Sequence, residues 1–178
     1  MTKEIPKDFY ITSDTWFGRP QILQIANRPF DNIEDMNAAL IKNWNKKVKK
    51  KDIVFHLGNF AWDPSTARKV LKQLNGKIYF LKGNQDSALE EIIDDFPNAE
   101  FMSQTIAELA AFDIILCHYP LSVWNGKDSG TIHIHGHTIF SHKTNLTIER
   151  RINICTDFWG FSPINYLTLK DFYKWLNK

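Results

Sequence analysis

Two stretches decide how this chain folds: Phe9-Tyr10-Ile11-Thr12-Ser13-Asp14 and Ile53-Val54-Phe55-His56-Leu57-Gly58-Asn59. Each is a short run of aromatic and β-branched residues that stops abruptly at a polar one. The unit returns as Ile78-Tyr79-Phe80-Leu81-Lys82-Gly83-Asn84 and as Ile114-Ile115-Leu116-Cys117-His118. Runs this short and apolar read as buried strands. Between them the period changes. Met36, Leu40, Ile41, Trp44 and Val48 recur at helical spacing over 34–48, and Ala67, Val70, Leu71 and Leu74 over 65–74, with Gly76 as a stop. Alternating strands and helices predict an α/β layered fold with a largely parallel sheet at its start. Residues 104–117 and 131–155 read as strand-rich and hairpin-like. Thr168, with Asp171 three residues on, announces a closing helix over 169–176.

Sheets of this kind bind ligands beyond the carboxyl ends of their strands. Asp14, Asn59, Asn84 and His118 each stand at such an end, and His137, after the strand-like 131–135, makes a fifth.

Composition narrows the classes. The 178 residues are 43% apolar and 24% charged, which suits one domain over 1–178 with a hydrophobic core. The formal charge of +2 argues against a dominant nucleic-acid or membrane footprint. Cys117 and Cys155 are too few for a disulfide scaffold or a cysteine zinc site, and Cys117 in its apolar run reads as core. The opening MTKEIPKDFY lacks the apolar centre of a signal peptide, and no run approaches a membrane span. The expected location is the cytoplasm, the host's if the gene is viral.

Several motifs follow one another in order: Ile11-Thr12-Ser13-Asp14-Thr15, Asn27-Arg28-Pro29-Phe30, His56-Leu57-Gly58 and Leu81-Lys82-Gly83-Asn84. His118-Tyr119-Pro120-Leu121, Trp124-Asn125-Gly126 and Gly136-His137-Thr138 complete the set. On these residues the chain resembles the calcineurin-like metallophosphoesterase family, above all its small bacterial and bacteriophage members, from Asp14 to about Leu169. The resemblance implies an α/β sandwich of mixed sheets flanked by helices. It also implies a site where two cations clamp a phosphoester and activate a water.

Against that pattern the chain departs at several positions. Trp16 and Ile139 stand where the family has histidines, Asn59 where it has a metal-bridging aspartate, and Gln85 where it has the catalytic histidine. The first implied metal would rely on Asp14 with residues 16, 59 and 139. Trp16 and Ile139 cannot ligate, and Asn59 offers a neutral carbonyl, so that site is expected to be lost. The second would rely on Asn59, Asn84, His118 and His137, with no carboxylate to offset the desolvation of a cation. No cofactor is expected beyond one weakly bound divalent ion (Mn, Ni, Zn or Mg). An amide does not titrate near neutral pH, so Gln85 cannot replace an acid and no catalytic residue is intact.

The leading expectation is a pseudoenzyme that binds a protein partner or a phosphorylated ligand through a remodelled cleft. The alternatives are a slow phosphoesterase or phosphodiesterase on one residual metal, and a nucleic-acid-binding module. Trp16, Arg19, Trp62 and Trp124 are the candidate binding residues, Trp16 either filling the vacated metal cavity or offering an aromatic face. Arg28 and Lys82 could add charge, although each alone reads as an ion pair. The run Lys46-Lys47-Val48-Lys49-Lys50-Lys51 reads as a solvated helix end, with nucleic-acid contact a minority reading. His133 and His135 share a strand face with His137, but read as packing or hydrogen-bonding residues. His142 reads as a surface histidine.

Overall fold

The computed structural model describes Pro6, residues 8–139 and residues 147–176; His142 lies outside them. The first apolar run forms β1 (Tyr10–Thr12), and the second forms β2 (Ile53–His56). They pair in parallel, Tyr10 opposite Val54 and Thr12 opposite His56. With β3 (Lys77–Phe80), β4 (Ala99–Phe101) and β10 (Ile164–Asn165) they make a five-stranded sheet in the order β10-β1-β2-β3-β4. Only β10 runs antiparallel. A second sheet holds β5 (Ile106–Leu109), β6 (Ile114–Cys117), β7 (Ile132–His135), β8 (Thr147–Ile148) and β9 (Arg151–Asn153) in the order β5-β6-β7-β9-β8. The chain is thus a mixed α/β fold of two mixed sheets flanked by helices.

Alternation along the strands builds two cores. Val54, Ile78 and Phe80 face the helices α2 (Ile33–Lys47) and α3 (Pro64–Leu71), where Met36, Leu40, Trp44, Ala67, Val70 and Leu71 are buried. Phe9, Ile11, Phe55, Leu57 and Leu81 face the other way, onto Ile114, Leu116, Ile134 and Ile152 of the second sheet. This second core is closed by Tyr166 and Leu169 of α5 (Tyr166–Leu176). The short helices α1 (Gln21–Ile25) and α4 (Ser87–Glu90) belong to the loops after β1 and β3. Among the described residues no helix is long and apolar enough to cross a membrane.

Local signals explain the helix ends. Asn32 accepts a hydrogen bond from the Asp35 N–H, and Asp63 one from the Thr66 N–H ahead of Pro64 in the first turn. Glu34 and Asp35 at one end of α2, and Lys46 and Lys47 at the other, complement its dipole. Three expectations change. The 65–74 helix stops at Leu71, while Leu74 stays buried in the following turn. The closing helix starts at Tyr166 rather than 169, because the Asn165 side chain, not Thr168, accepts from the Leu167 N–H. Hairpin pairing joins β5 to β6 and β8 to β9, but β6, β7 and β9 are parallel, since the 118–131 connection crosses over between β6 and β7.

Phe9 ties these layers together. It is fully buried, edge-on to Phe55 and Phe112 at 5.3 and 5.1 Å, and stacked on Tyr166 at 4.8 Å. Phe9→Ala is expected to lower stability by about 3–5 kcal/mol in urea unfolding, the usual cost of a large buried aromatic. A loss below about 1 kcal/mol would contradict this role.

Candidate functional site

Beyond the carboxyl ends of β1, β2, β3, β6, β7 and β9 the chain bends sharply, and the bends carry the polar residues. Asp14, Trp16, Asn59 and His137 all have positive φ, at 56°, 54°, 59° and 69°. Such left-handed backbone costs a non-glycine residue about 1–3 kcal/mol, and four cases at one end of the sandwich mark a site built for geometry rather than stability. Glycines let these loops touch. Gly58 has φ 93°, and a Cβ there would meet the Gly83 nitrogen at 2.5 Å. A Cβ on Gly136 would meet Ser13 Oγ at 2.1 Å and Asp14 Oδ2 at 2.6 Å.

At the centre lies the Asn59 side chain, 2% exposed. Its carbonyl accepts from the Gln85 N–H at 3.1 Å, which turns the amino group inward. Asn59 Nδ2 donates to Asp14 Oδ1 at 2.9 Å and faces His118 Nε2 at 3.3 Å and Asn84 Oδ1 at 3.4 Å. The sequence reading expected Asn59 to offer its carbonyl; the structure turns a donor toward the centre instead. Asp14 is fully buried. Its Oδ2 accepts from Ser13 Oγ at 2.7 Å, from the His137 N–H at 2.8 Å and from Cys155 Sγ at 3.1 Å, while Oδ1 accepts from Asn59. Burial and the Asp14 charge hold the Cys155 thiol protonated, well above its ordinary pKa.

The two histidines meet here. His118 Nδ1 lies 2.6 Å from the Leu57 carbonyl and donates to it, which turns Nε2 to the centre. His137 Nδ1 is 3.2 Å from that Nε2, and Asn84 Oδ1 is 3.0 Å from it. Burial and the neighbouring His118 lower the His137 pKa. Asn84, Gln85 and His137 are exposed, while Asp14, Asn59 and His118 are buried below them. The structure therefore brings together all five residues expected as a vestigial ligand set. The atoms that meet there are a carboxylate oxygen of Asp14, two imidazole nitrogens, an amide oxygen and an amide N–H. Among the described residues no three histidine, cysteine, aspartate or glutamate side chains are grouped to hold a metal ion.

Supports for this centre escaped the sequence reading. Asp86 is buried and accepts from the backbone N–H groups of Asn59, Phe60 and Gly83 at 2.9, 2.9 and 2.7 Å, clamping the β2 and β3 loops. Burial raises its pKa, and these donors oppose the rise. Its place beside Asn84 and Gln85 was the available signal. Arg28 is not free for a ligand. It forms a two-pronged pair with Asp157 at 2.8 and 2.8 Å and donates to the carbonyls of Thr15 and Asp14 at 2.8 and 2.7 Å. No local pattern links residues 28 and 157.

The other candidates divide. Trp16 is 4% exposed and packs in the helix-side core with Ile139, so apolar packing occupies the two positions where the resemblance implied histidines. Trp62 is 46% exposed. Arg19 joins them, its guanidinium carbon 4.2 Å from the Trp16 ring centre and 4.7 Å from that of Trp62. Trp124 is a correction. It is buried, donates to the Thr131 carbonyl at 3.0 Å and packs against His133, which makes it the core of the 118–131 crossover. His133 and His135 are buried beneath that crossover. Lys82 pairs with Glu90. Lys46–Lys51 precede β2 and therefore lie at the opposite end of that strand from Asn59. An apolar cavity of about 200 Å³, lined by Ile114, Ile132, Tyr166 and Leu169, opens at the starts of β6 and β7, away from this site.

No protein-family model matches the chain. It is similar to the uncharacterized protein MJ1445 of Methanocaldococcus jannaschii, 32% identical over 166 residues, which cover 89% of this chain and 87% of that protein. It is 26% identical over 182 residues to the Gene 66 protein of Mycobacterium phage L5, covering 85% of this chain and 87% of the phage protein. Among solved structures, the protein of unknown function AQ665 from Aquifex aeolicus shares the fold, with a TM-score of 0.70, 22% identity and coverage of 93% of this chain and 98% of that one.

The buried histidines make stability depend on acidity. His56 Nε2–H donates to Thr15 Oγ1 at 3.0 Å, and burial lowers its pKa to about 3; burial lowers that of His135 to about 4. Both rings are neutral in the fold, while the unfolded chain takes up their protons below pH 6.5 or so. Their stabilising contribution is complete above that pH. It falls by about 1.4 kcal/mol per histidine per pH unit as the pH drops toward the folded values. Urea unfolding from neutral to mildly acid pH should show this slope, reduced by about one proton in His56→Gln. An unchanged slope in that variant would refute the assignment.

Proposed function

This chain belongs to one family with the uncharacterized protein MJ1445 of Methanocaldococcus jannaschii, and from that footing we propose that it is a catalytically degenerate calcineurin-like phosphoesterase whose site binds a phosphorylated ligand without hydrolysing it. The observation that carries the reading is the Asn59 amino group at the centre of the acceptors. A cation there would need lone pairs from Asp14, residue 59, Asn84 and His118. Instead an N–H donor faces Asp14 Oδ1, His118 Nε2 and Asn84 Oδ1. Hydrogen bonds do the cross-linking that two metals would do. A dinuclear centre does not fit these residues: Trp16 and Ile139 are packing groups, and three hydrogen-bond donors already occupy Asp14 Oδ2. Gln85, exposed and non-titrating, supplies no proton to a leaving group.

Of the two occupants the sequence suggested, Arg19 favours the phosphorylated one over a protein partner. It forms no ion pair among the described residues, and its fork suits a phosphoryl oxygen pair. A nucleic-acid track is disfavoured, because the lysine run and this site occupy opposite ends of β2.

One specific contact supports a second reading, a slow hydrolase on a single metal. His118 Nε2 stands 3.0 Å from Asn84 Oδ1 and 3.2 Å from His137 Nδ1. Donor atoms on one small cation are spaced by about 3.0–3.4 Å. Asn84, His118 and His137 would hold such an ion, and its chemistry would be to polarise a phosphoester.

Two measurements separate these readings. With Mn²⁺ present, the protein is expected to hydrolyse bis(p-nitrophenyl) phosphate no faster than buffer. Turnover abolished by His118→Ala and by His137→Ala would overturn the leading reading. In calorimetry, Asn59→Asp is expected to raise Mn²⁺ affinity by about ten-fold or more, since a carboxylate replaces the inward donor. Equal affinity in both proteins would show that the amide does not exclude the cation.

A further inference from the structure

Arg19 is held in an unusual way for a surface cation. Its guanidinium carbon lies over two indoles, Trp16 below and Trp62 at the rim, whose ring centres are 6.5 Å apart. Its Nε is buried and has no hydrogen-bond partner among the described residues. A guanidinium stacked on aromatic faces loses water and conformational freedom while its N–H edge stays directed outward. Paired with no acid among the described residues, this cation suits a single anionic group.

The stacking residues are tied to the centre of the site. The backbone N–H of Trp16 donates to the backbone carbonyl of Asn59 at 3.1 Å, that of Phe17 to the backbone carbonyl of Phe60 at 2.9 Å and that of Trp62 to the backbone carbonyl of Phe17 at 2.8 Å. The two loops therefore continue the β1–β2 pairing outward. Trp62 sits three residues beyond Asn59, a separation of at most about 10 Å. Arg19 covers one face of Trp62, yet the ring remains 46% exposed, so the rest of its surface is open to a ligand. Across the site Tyr119, 44% exposed, lies edge-on to His137 at 4.9 Å. Asn84, whose Oδ1 lies 3.0 Å from His118 Nε2, and its neighbour Gln85 are exposed, and neither Asn84 Nδ2 nor the Gln85 side chain forms a hydrogen bond among the described residues.

The geometry points to a free nucleoside monophosphate as the ligand: phosphate on Arg19, base stacked on Trp62, and the base edge read by the amides of Asn84 and Gln85. Each element answers to one part of that molecule. Stacking on an indole is tolerant of base identity. Side-chain amides both donate and accept, as a base edge requires. One cation suits one phosphate, and the distant lysine run leaves no basic path along which a longer strand would lie.

This inference rests on the phosphate-binding reading above, and calorimetry distinguishes the two. The probes are AMP, GMP, CMP and UMP, with ribose 5-phosphate, phenyl phosphate, adenosine, inorganic phosphate and a ten-residue oligodeoxythymidylate as comparisons. At least one nucleotide is expected to bind about ten-fold or more tightly than inorganic phosphate, ribose 5-phosphate and adenosine. Trp62→Ala should reduce that nucleotide to the affinity of ribose 5-phosphate, while Trp62→Phe retains most of the preference. Arg19→Gln should cost about ten-fold for every phosphate and nothing for adenosine, with Arg19→Lys intermediate. Phosphates that bind with no preference for a base, or phenyl phosphate equal to the best nucleotide, would overturn the inference and leave the phosphate reading standing. The oligonucleotide binding tightest would also overturn it. Failure of every phosphate to bind at millimolar concentration would overturn both.

Discussion

Everything at the loop end of this protein depends on where one amide points. The Gln85 N–H holds the Asn59 carbonyl, and that single bond aims the amino group at Asp14, His118 and Asn84. In a dry site such contacts are stronger than in water, and an unpaired Asp14 would be costly. The amide therefore supplies what a buried carboxylate needs, a positively polarised partner, without the desolvation cost of a divalent ion. An aspartate at this position would face Asp14 across 2.9 Å or so and demand a cation between them. One changed atom, nitrogen for oxygen, decides which way the centre is bonded.

The surrounding fold is arranged to hold that amide still. Asp86 fixes the backbone of Asn59 from the β3 loop, and Arg28 fixes the carbonyls of Asp14 and Thr15 while paired to Asp157. Left-handed backbone at Asp14, Trp16, Asn59 and His137 persists because these bonds over-determine it. Meanwhile Trp16 and Ile139 complete the core beside it, and Trp16 gives Arg19 an aromatic seat.

Strands β1, β2, β3 and β6 and helices α2 and α3 were legible because burial imposes a period on short segments, whereas β4 and β10, of three and two residues, are too short to show one. Phe9 to Asp14 and Ile53 to Asn59 show it plainly, and α2 carries its capping residue beside its apolar stripe. The five residues at the strand ends were legible for the same reason, since the apolar run stops where the site begins. What was not legible is relational. Arg28 and Asp157 are distant in sequence, the stacking of Arg19 between Trp16 and Trp62 depends on loop geometry, and Trp124 is buried only because the 118–131 crossover folds over His133. The rotation of the Asn59 amide is the sharpest case. Composition names the side chain, but only the neighbouring Gln85 N–H decides whether it offers a carbonyl or a donor.

The central claim is that hydrogen bonds, not metal ions, hold this site together. Crystals grown with millimolar Mn²⁺ and measured for anomalous scattering test it most directly. The account predicts no anomalous peak among Asp14, Asn59, Asn84, His118 and His137, and an Asn59 Nδ2 still within hydrogen-bond distance of Asp14 Oδ1. A peak about 2.0–2.3 Å from His118 Nε2, with the Asn59 amide turned to present its oxygen, would contradict it.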